Sequence, residues 1–286
     1  PPVTTGALLL SSVMKHSVLV ILIVIALASG FTTTPMLAAA AAAPTKPTAH
    51  LCYIYFPHAI ATVSVWHMHH SINHYYKRED DAVNFTFRVV EQEGNKNPNV
   101  AARAVLQDGG DCDIFLGPLA SSFSTSVSPV ANVPVISEGA TATTLKDKVL
   151  YPMFSRVTLA DDAPALAMTD VMNHLGIKKL SILCMDDAFG KSLAAEVRHN
   201  FKGDIEFDFC FKNTATKEEM METMQVIKDQ STTKAIMLAM GPAVGFTPRM
   251  GEALIETGIY GEFTFFLSDA LCTEVSNYHF FDGSIC

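Results

Sequence analysis

The sequence predicts an α/β protein of two lobes, each a parallel sheet flanked by helices. Past residue 50 the chain alternates short apolar runs with stretches of helical period, the pattern of parallel sheets covered on both faces. The alternation stops near 151–160 and restarts at Asp161-Asp162, giving two series of about 110 residues, each of domain size. The 286 residues, 49% apolar and 17% charged, suffice for two medium cores and are too apolar for a disordered chain.

In the first series, 51–56 (LCYIYF) reads as a buried strand and 61–76 as a helix with Val65, Met68, His69 and Ile72 at i, i+3, i+4 and i+7. FTFRVV (85–90) is the second strand. Asn97-Pro98 marks the start of a helix over 99–107. DIFL (113–116) is a strand closed by Gly117-Pro118, 121–130 a weaker helix and VPVIS (133–137) a fourth strand. In the second series, a helix over 162–175 ends at Gly176, followed by the strand LSILCM (180–185) and a helix over 190–201. Residues 205–211 alternate as a strand, 217–230 form a helix and AIMLA (235–239) a strand. A helix over 248–257 ends at Gly258, and FTFFL (263–267) is the last strand.

Residues 1–43 stand apart. Met14-Lys15-His16 precedes an apolar run over 18–28, and a small-residue stretch ends at Ala43. A basic start, a short apolar centre and an Ala-rich exit are the marks of a secretory leader. The run is shorter than the ~20 residues of a spanning helix, and an uncleaved anchor is the alternative. Residues 1–13 precede the first Met and read as upstream sequence. The expected division is 1–43 upstream residues and leader, 44–157 first lobe and 158–286 second lobe, the last incomplete.

A net charge of −9 and the lack of any Lys/Arg block argue against a nucleic-acid partner, which needs a basic surface. Six cysteines (Cys52, Cys112, Cys184, Cys210, Cys272, Cys286) include no CxxC pair, so zinc and thioredoxin chemistry have no support. Disulfides suit a secreted chain. Buried free thiols are the competing reading for Cys52, Cys184 and Cys210, which lie in strand-like runs. Asn84-Phe85-Thr86 is the single N-x-S/T sequon.

In open α/β sheets ligands sit beyond the carboxyl ends of the strands. After the third strand, Gly117-Pro118 turns the chain and Ser121 and Ser122 open a helix whose N–H groups favour an anion; simple N-capping is the alternative. After the fourth comes Ser137-Glu138-Gly139-Ala140-Thr141-Ala142, where small residues admit a ligand to the backbone and exposed amides take a carboxylate; an ordinary polar turn is the alternative. Asp186-Asp187-Ala188-Phe189-Gly190 offers carboxylates for an ammonium group and an aromatic face. Ser268-Asp269 follows the last strand.

Together these pieces resemble the type I periplasmic-binding-protein fold, in its eukaryotic form the atrial-natriuretic-factor receptor ligand-binding region. The carrying residues are Ile72-Asn73, Gly117-Pro118-x-x-Ser121, Val135-Ile136-Ser137 with Ala140-Thr141-Ala142, Tyr151-Pro152-x-Phe154-x-Arg156, Asp186-Asp187-x-Phe189-Gly190 and Ser268-Asp269. The resemblance spans about residues 51–286. It implies a clamshell whose lobes close on a ligand by hinge motion. In the amino-acid binders of the family, the positions matching Ser121, Ala140 and Thr141 hold the ligand carboxylate and amine. Phe189 matches a second-lobe aromatic that is Tyr in many of them, so a hydroxyl contact is lost. Glu91-Gln92-Glu93 stands where the family usually has Asp. The family domain is longer, so segments returning to the first lobe are expected beyond Cys286.

Rival chemistries are weaker. His67, His70 and His74 share a helix face, but no third ligand type or HExxH accompanies them, and a solvated face is the simpler reading. Glu218, Glu219 and Glu222 read as a solvated face, and Met220, Met221 and Met224 as core or rim. GxGxxG, GxxxxGK[ST] and GxSxG are absent, which argues against nucleotide binding and hydrolysis. The expectation is a non-enzymatic receptor domain without cofactor or metal, on the extracellular face of the plasma membrane. It binds a small polar ligand, an amino acid being one candidate, through Ser121, Ser122, Gly139, Ala140, Thr141, Asp187 and Phe189, with Glu138 and Ser268 weaker candidates. The resemblance also implies a homodimer through the first lobe and a membrane link through a segment beyond Cys286. The alternatives are a secreted or periplasmic solute-binding protein serving a transporter, and a dimerisation module with no small ligand.

Overall fold

The computed structural model describes residues 46–55, 59–75, 83–91, 97–243, 245–272 and 284–286. The leader expected over 1–43, Gln92 and Glu93 lie outside the described residues.

Nine strands form two parallel sheets among the described residues. The first contains β1 (Thr48–Tyr55), β2 (Asn84–Glu91), β3 (Ile114–Leu116), β4 (Val135–Ser137) and β5 (Phe154–Arg156), in the order β2-β1-β3-β4-β5. The second contains β6 (Lys179–Met185), β7 (Asp204–Phe211), β8 (Ala235–Ala239) and β9 (Thr264–Leu267), in the order β7-β6-β8-β9. Each order reverses direction once, between β1 and β3 and between β6 and β8, and the mouth of a doubly wound sheet opens at that reversal.

Strand β5 is a correction to the sequence reading, which placed the seam there. Only Phe154 of its three residues is buried, so no apolar run announces it. It is held by register, Ile136 opposite Ser155 and Ser137 opposite Arg156. Strand β1 starts at Thr48, earlier than expected, because Thr48, Ala49 and His50, outside the apolar run, pair with Asn84–Thr86 of β2.

The helices are α1 (Ala59–Tyr75), α2 (Pro98–Asp108), α3 (Ser121–Val127), α4 (Asp162–His174), α5 (Ala188–Asn200), α6 (Lys217–Gln230), α7 (Phe246–Glu256) and the short α8 (Asp269–Cys272). Their starts follow local chemistry. Asn97 caps α2 by accepting from the Asn99 amide with Pro98 in the first turn. Thr216 and Glu219 cap one another's backbone at α6. Helix α4 stops at Gly176, whose φ of +75° ends the turn while Ile177 N–H returns to Met172 O.

Alternation along the strands gives each sheet two apolar faces. In the first lobe Cys52, Ile54, Phe115 and Val135 pack with Ala101, Val105, Phe123 and Val127 of α2 and α3, while Leu51, Tyr53, Ile114 and Leu116 face Ile72 of α1. In the second, Leu183, Ile236, Leu238 and Phe265 meet Met220, Met224, Met250 and Leu254; Leu180, Ile182, Met237 and Phe266 meet Met172, Leu193 and Val197. Met220 and Met224 are core, Met221 lies at its rim, and Glu218, Glu219 and Glu222 are exposed. On α1, His70 stacks on the exposed Trp66 and touches His74, its ring centroids 5.2 and 4.1 Å away.

The free-thiol reading is overturned. The six cysteines form the disulfides Cys52–Cys112, Cys184–Cys210 and Cys272–Cys286. Cys184 and Cys210 stand opposite each other in the register of β6 and β7, so the apolar strand context that suggests buried thiols also brings the pair together.

Candidate functional site

The loops after β3 and β4 are bound to one another by two buried serines. Ser137 donates to Pro118 O at 2.7 Å and accepts from the amides of Gly139 and Ala140 at 3.3 and 2.9 Å. Ser121 Oγ accepts from the amides of Thr141 and Ala142, both at 3.1 Å. The four amides of 139–142, expected to be open to a carboxylate, are therefore occupied by hydroxyls of the same lobe. Nor does Ser121 cap its helix: Ala120 is the N-cap of α3 and makes no side-chain capping bond. Ser121 instead shapes the loop that carries Thr141. Ser122 is half-buried beside it. A Cβ at Gly139 would lie 2.3 Å from Leu119 Cδ1 and 3.1 Å from Leu119 O, so Leu119 would have to shift to admit one.

Two cationic or amide donors hold this loop from the β5 side. Arg156 donates to Ala140 O and Ala142 O at 2.9 and 3.0 Å. The Asp161 amide donates to Thr141 O at 2.9 Å. That bond sets the Asp161 side chain next to Thr141.

Asp161 is 1% exposed, and neither of its carboxylate oxygens has a hydrogen-bond partner of good geometry among the described residues. The Thr141 hydroxyl is buried in the same condition. Burial pushes the Asp161 carboxyl up from 3.8 to about 6; the Ser192 and Thr141 hydroxyls and Arg156 pull it down, and Asp269 adds to the rise. A buried acid approached by the Ser192 and Thr141 hydroxyls without a hydrogen bond of good geometry fits a group that brings several donors and positive charge, such as a primary ammonium.

The second lobe meets this cluster at Ser192 of α5. Thr143 N–H donates to Ser192 Oγ at 2.9 Å, and the two hydroxyls lie 3.2 Å apart. Ser192 is buried at this contact and Thr143 is half-buried. The other second-lobe candidates are placed less directly. Asp187 caps α5, its Oδ1 accepting from Gly190 N at 2.7 Å, and burial raises its pKa. Its carboxylate is engaged by backbone rather than set out for an ammonium group. Phe189 is half-buried, its ring 3.7 Å from the position of a Cβ on Gly241, so it sits between the ends of β6 and β8 where the sheet order reverses. Ser268 is fully buried, donating to Met240 O and accepting from Leu271 N at 3.3 Å, and it shapes the turn after β9. Glu138 accepts from the Tyr53 hydroxyl, and burial raises its pKa; its other oxygen is buried without a partner among the described residues.

The structure thus gathers Ser121, Ala140 and Thr141, adds Asp161, Arg156 and Ser192, and gives Asp187 and Ser268 local structural tasks. In sequence, Asp161 reads only as the opening of a helix. The available signal was an acid at an N-cap position that the next residue, Asp162, could equally fill. In the fold, Asp161 makes no capping bond while Asp162 pairs with Lys146 at 2.5 Å.

Two parallel-sheet lobes with polar groups gathered at their seam define a class, the two-lobe binding proteins. The family model described as the receptor family ligand binding region matches residues 68–279, and the chain belongs to that family. Among curated relatives, Glutamate receptor 3.1 of Oryza sativa subsp. japonica is 26% identical over 120 residues, 40% of this chain and 13% of that protein. Metabotropic glutamate receptor 8 of Homo sapiens is 36% identical over 80 residues, 27% of this chain and 9% of that protein. The matches thus span a small part of those relatives. A solved solute-binding protein of an ABC transporter from R. palustris, in complex with 4-hydroxybenzoate, superposes with a TM-score of 0.64 at 18% identity, covering 81% of this chain and 65% of that one. At that identity the likeness speaks for the fold: an α/β clamshell of the type I periplasmic-binding kind.

Proposed function

We propose that the chain is the extracellular ligand-binding domain of a membrane receptor, and that its ligand is a small molecule with a primary ammonium group, an α-amino acid being the simplest. The observation that carries this is the buried Asp161 carboxylate beside the Thr141 hydroxyl at the seam, neither of which has a hydrogen bond of good geometry among the described residues. The ammonium group would donate hydrogen bonds to the Asp161 carboxylate and the Thr141 hydroxyl oxygen. Phe189 would pack over the ligand from the second lobe. Because the ligand would contact both lobes, it would favour the closed arrangement by its difference in affinity for the two states. Ser121 would act by holding Thr141 in place, Ala140 and Gly139 by leaving room. The relation to glutamate receptors by name and family supports an amino-acid ligand.

The test is a thermal-shift and calorimetric titration of the folded chain with a panel of free amino acids, their N-acetyl derivatives and aromatic acids such as 4-hydroxybenzoate. The expected result is saturable stabilisation by one or more free amino acids, none by their N-acetyl forms, and its loss in Asp161→Asn and Thr141→Val. Binding of acids lacking an amine, unaffected by Asp161→Asn, would overturn the ammonium reading. Sequencing the transcript past Cys286 separates the two settings. A membrane span of ~20 apolar residues there supports a receptor, and a stop codon without one supports a secreted or periplasmic solute-binding protein.

A further inference from the structure

Asn84 is the first residue of β2, and β2 pairs only with β1 among the described strands, so it forms one border of the first sheet. Its backbone amide donates to Pro47 O at 2.8 Å, while its side-chain carboxamide makes no hydrogen bond among the described residues. Residues two apart on a strand share a face, and Asn84 and Thr86 are both exposed, whereas Phe85 turns to the opposite, partly buried face. The Thr86 hydroxyl lies 2.7 Å from His50 Nδ1 of β1 in the folded chain. The residue between them is Phe, not Pro, which completes an acceptor triplet for N-linked sugar.

We propose that Asn84 is an N-glycosylation site, accepting one oligosaccharide during entry into a eukaryotic secretory pathway; this rests on the extracellular reading above. In the transfer, the Asn84 carboxamide nitrogen attacks the anomeric carbon of a lipid-pyrophosphate-linked oligosaccharide. A C–N bond forms, the C–O bond to pyrophosphate breaks, the amide loses one proton to solvent, and lipid pyrophosphate leaves. No redox change occurs. The fold accommodates the product, because the modified nitrogen stands on an open border with nothing packed over it among the described residues. It also keeps the sugar away from the seam. Asn84 begins β2 at its amino end, and seven further residues at about 3.3 Å each put it roughly 23 Å from the carboxyl ends where Thr141 and Asp161 lie. A sugar there would also shield a strand border that could otherwise pair with another chain.

The full chain is expressed in cultured mammalian or insect cells, once with its own N-terminus and once with residues 1–43 replaced by a standard cleavable leader. Delivery to the lumen is scored by protease protection of microsomes, and glycan by the mobility shift that peptide N-glycosidase removes. The expected result is one such shift, lost in Asn84→Gln and in Thr86→Ala and kept in Thr86→Ser. Sugar transfer precedes folding, so a poorly folded variant still reports. Luminal protein from the leader-replaced chain without an enzyme-sensitive shift would overturn the proposal, as would a shift that survives Asn84→Gln. A chain that reaches the lumen only with the replaced leader would count against the secretory reading of its own N-terminus, and the glycan result from the replaced leader would still stand for or against Asn84.

Discussion

Replacing Asp161 by Asn should make the empty protein more stable while abolishing its response to amine ligands. A carboxyl whose pKa rises from 3.8 to about 6 on folding is held in the fold at a cost when ionised. At about 1.4 kcal/mol per tenfold change in acidity, that cost is about 3 kcal/mol at neutral pH. Asn fills nearly the same volume and carries no charge. For a chain of this size, 1 kcal/mol moves the melting temperature by about 2–4 °C, so Asp161→Asn should melt about 6–12 °C higher at pH 7. The sign follows from the raised pKa. Below 3.8 the acid is protonated in folded and unfolded chains alike and costs nothing. The cost grows as pH climbs from 3.8 towards 6 and is complete above that. Circular-dichroism melts at pH 3.5 and pH 7, each with and without a panel of free amino acids, read both effects. A variant no more stable than the parent at pH 7, or equally stabilised at both pH values, would refute the argument that desolvation dominates at this carboxyl.

Other perturbations have defined outcomes. Glu206 accepts from Lys179, Ser231, Thr232 and Thr233, ties β6 and β7 to the loop before β8, and has its pKa lowered to about 2, chiefly through the Thr232 hydroxyl. Its contribution is present above about pH 4.5 and lost as pH falls towards 2, so Glu206→Gln should flatten the acid limb of a stability–pH curve measured by urea titration. Gly190→Ala would place a Cβ 2.3 Å from Met185 O and 2.8 Å from Ala239 O, both backbone, and should cost about 1–3 kcal/mol in a denaturant melt. Removing the Cys52–Cys112 bridge, which closes 60 residues, with paired Ala substitutions should cost about 4 kcal/mol by the same assay.

Most of the architecture was legible because parallel strands buried on both faces leave continuous apolar runs, as in LSILCM and AIMLA. Strand β5 was not, since a border strand with one buried side chain carries no such run. At the site, the loops were found from the strand ends, but the tasks of their residues were not. Ser121 looks like a ligand contact in sequence; whether its hydroxyl meets a ligand or the amides of Thr141 and Ala142 depends on a loop 20 residues away folding back on it. Asp161 was missed for the converse reason. An acid at a helix start has a common local explanation, and only the bond from its amide to Thr141 O reveals that its side chain is buried beside the Thr141 hydroxyl. Cysteine pairing likewise needs register: Cys184 and Cys210 are 26 residues apart and become neighbours only once β6 and β7 align.

The bridges share one further property. Cys52–Cys112 lies within the first lobe, and Cys184–Cys210 and Cys272–Cys286 within the second; none crosses the seam. Among the described residues, Thr143 meets Ser192 across the seam and residues 157–161 run from the first sheet to the helix that opens the second lobe. Each bridge therefore constrains its own lobe in the unfolded chain and ties neither lobe to the other.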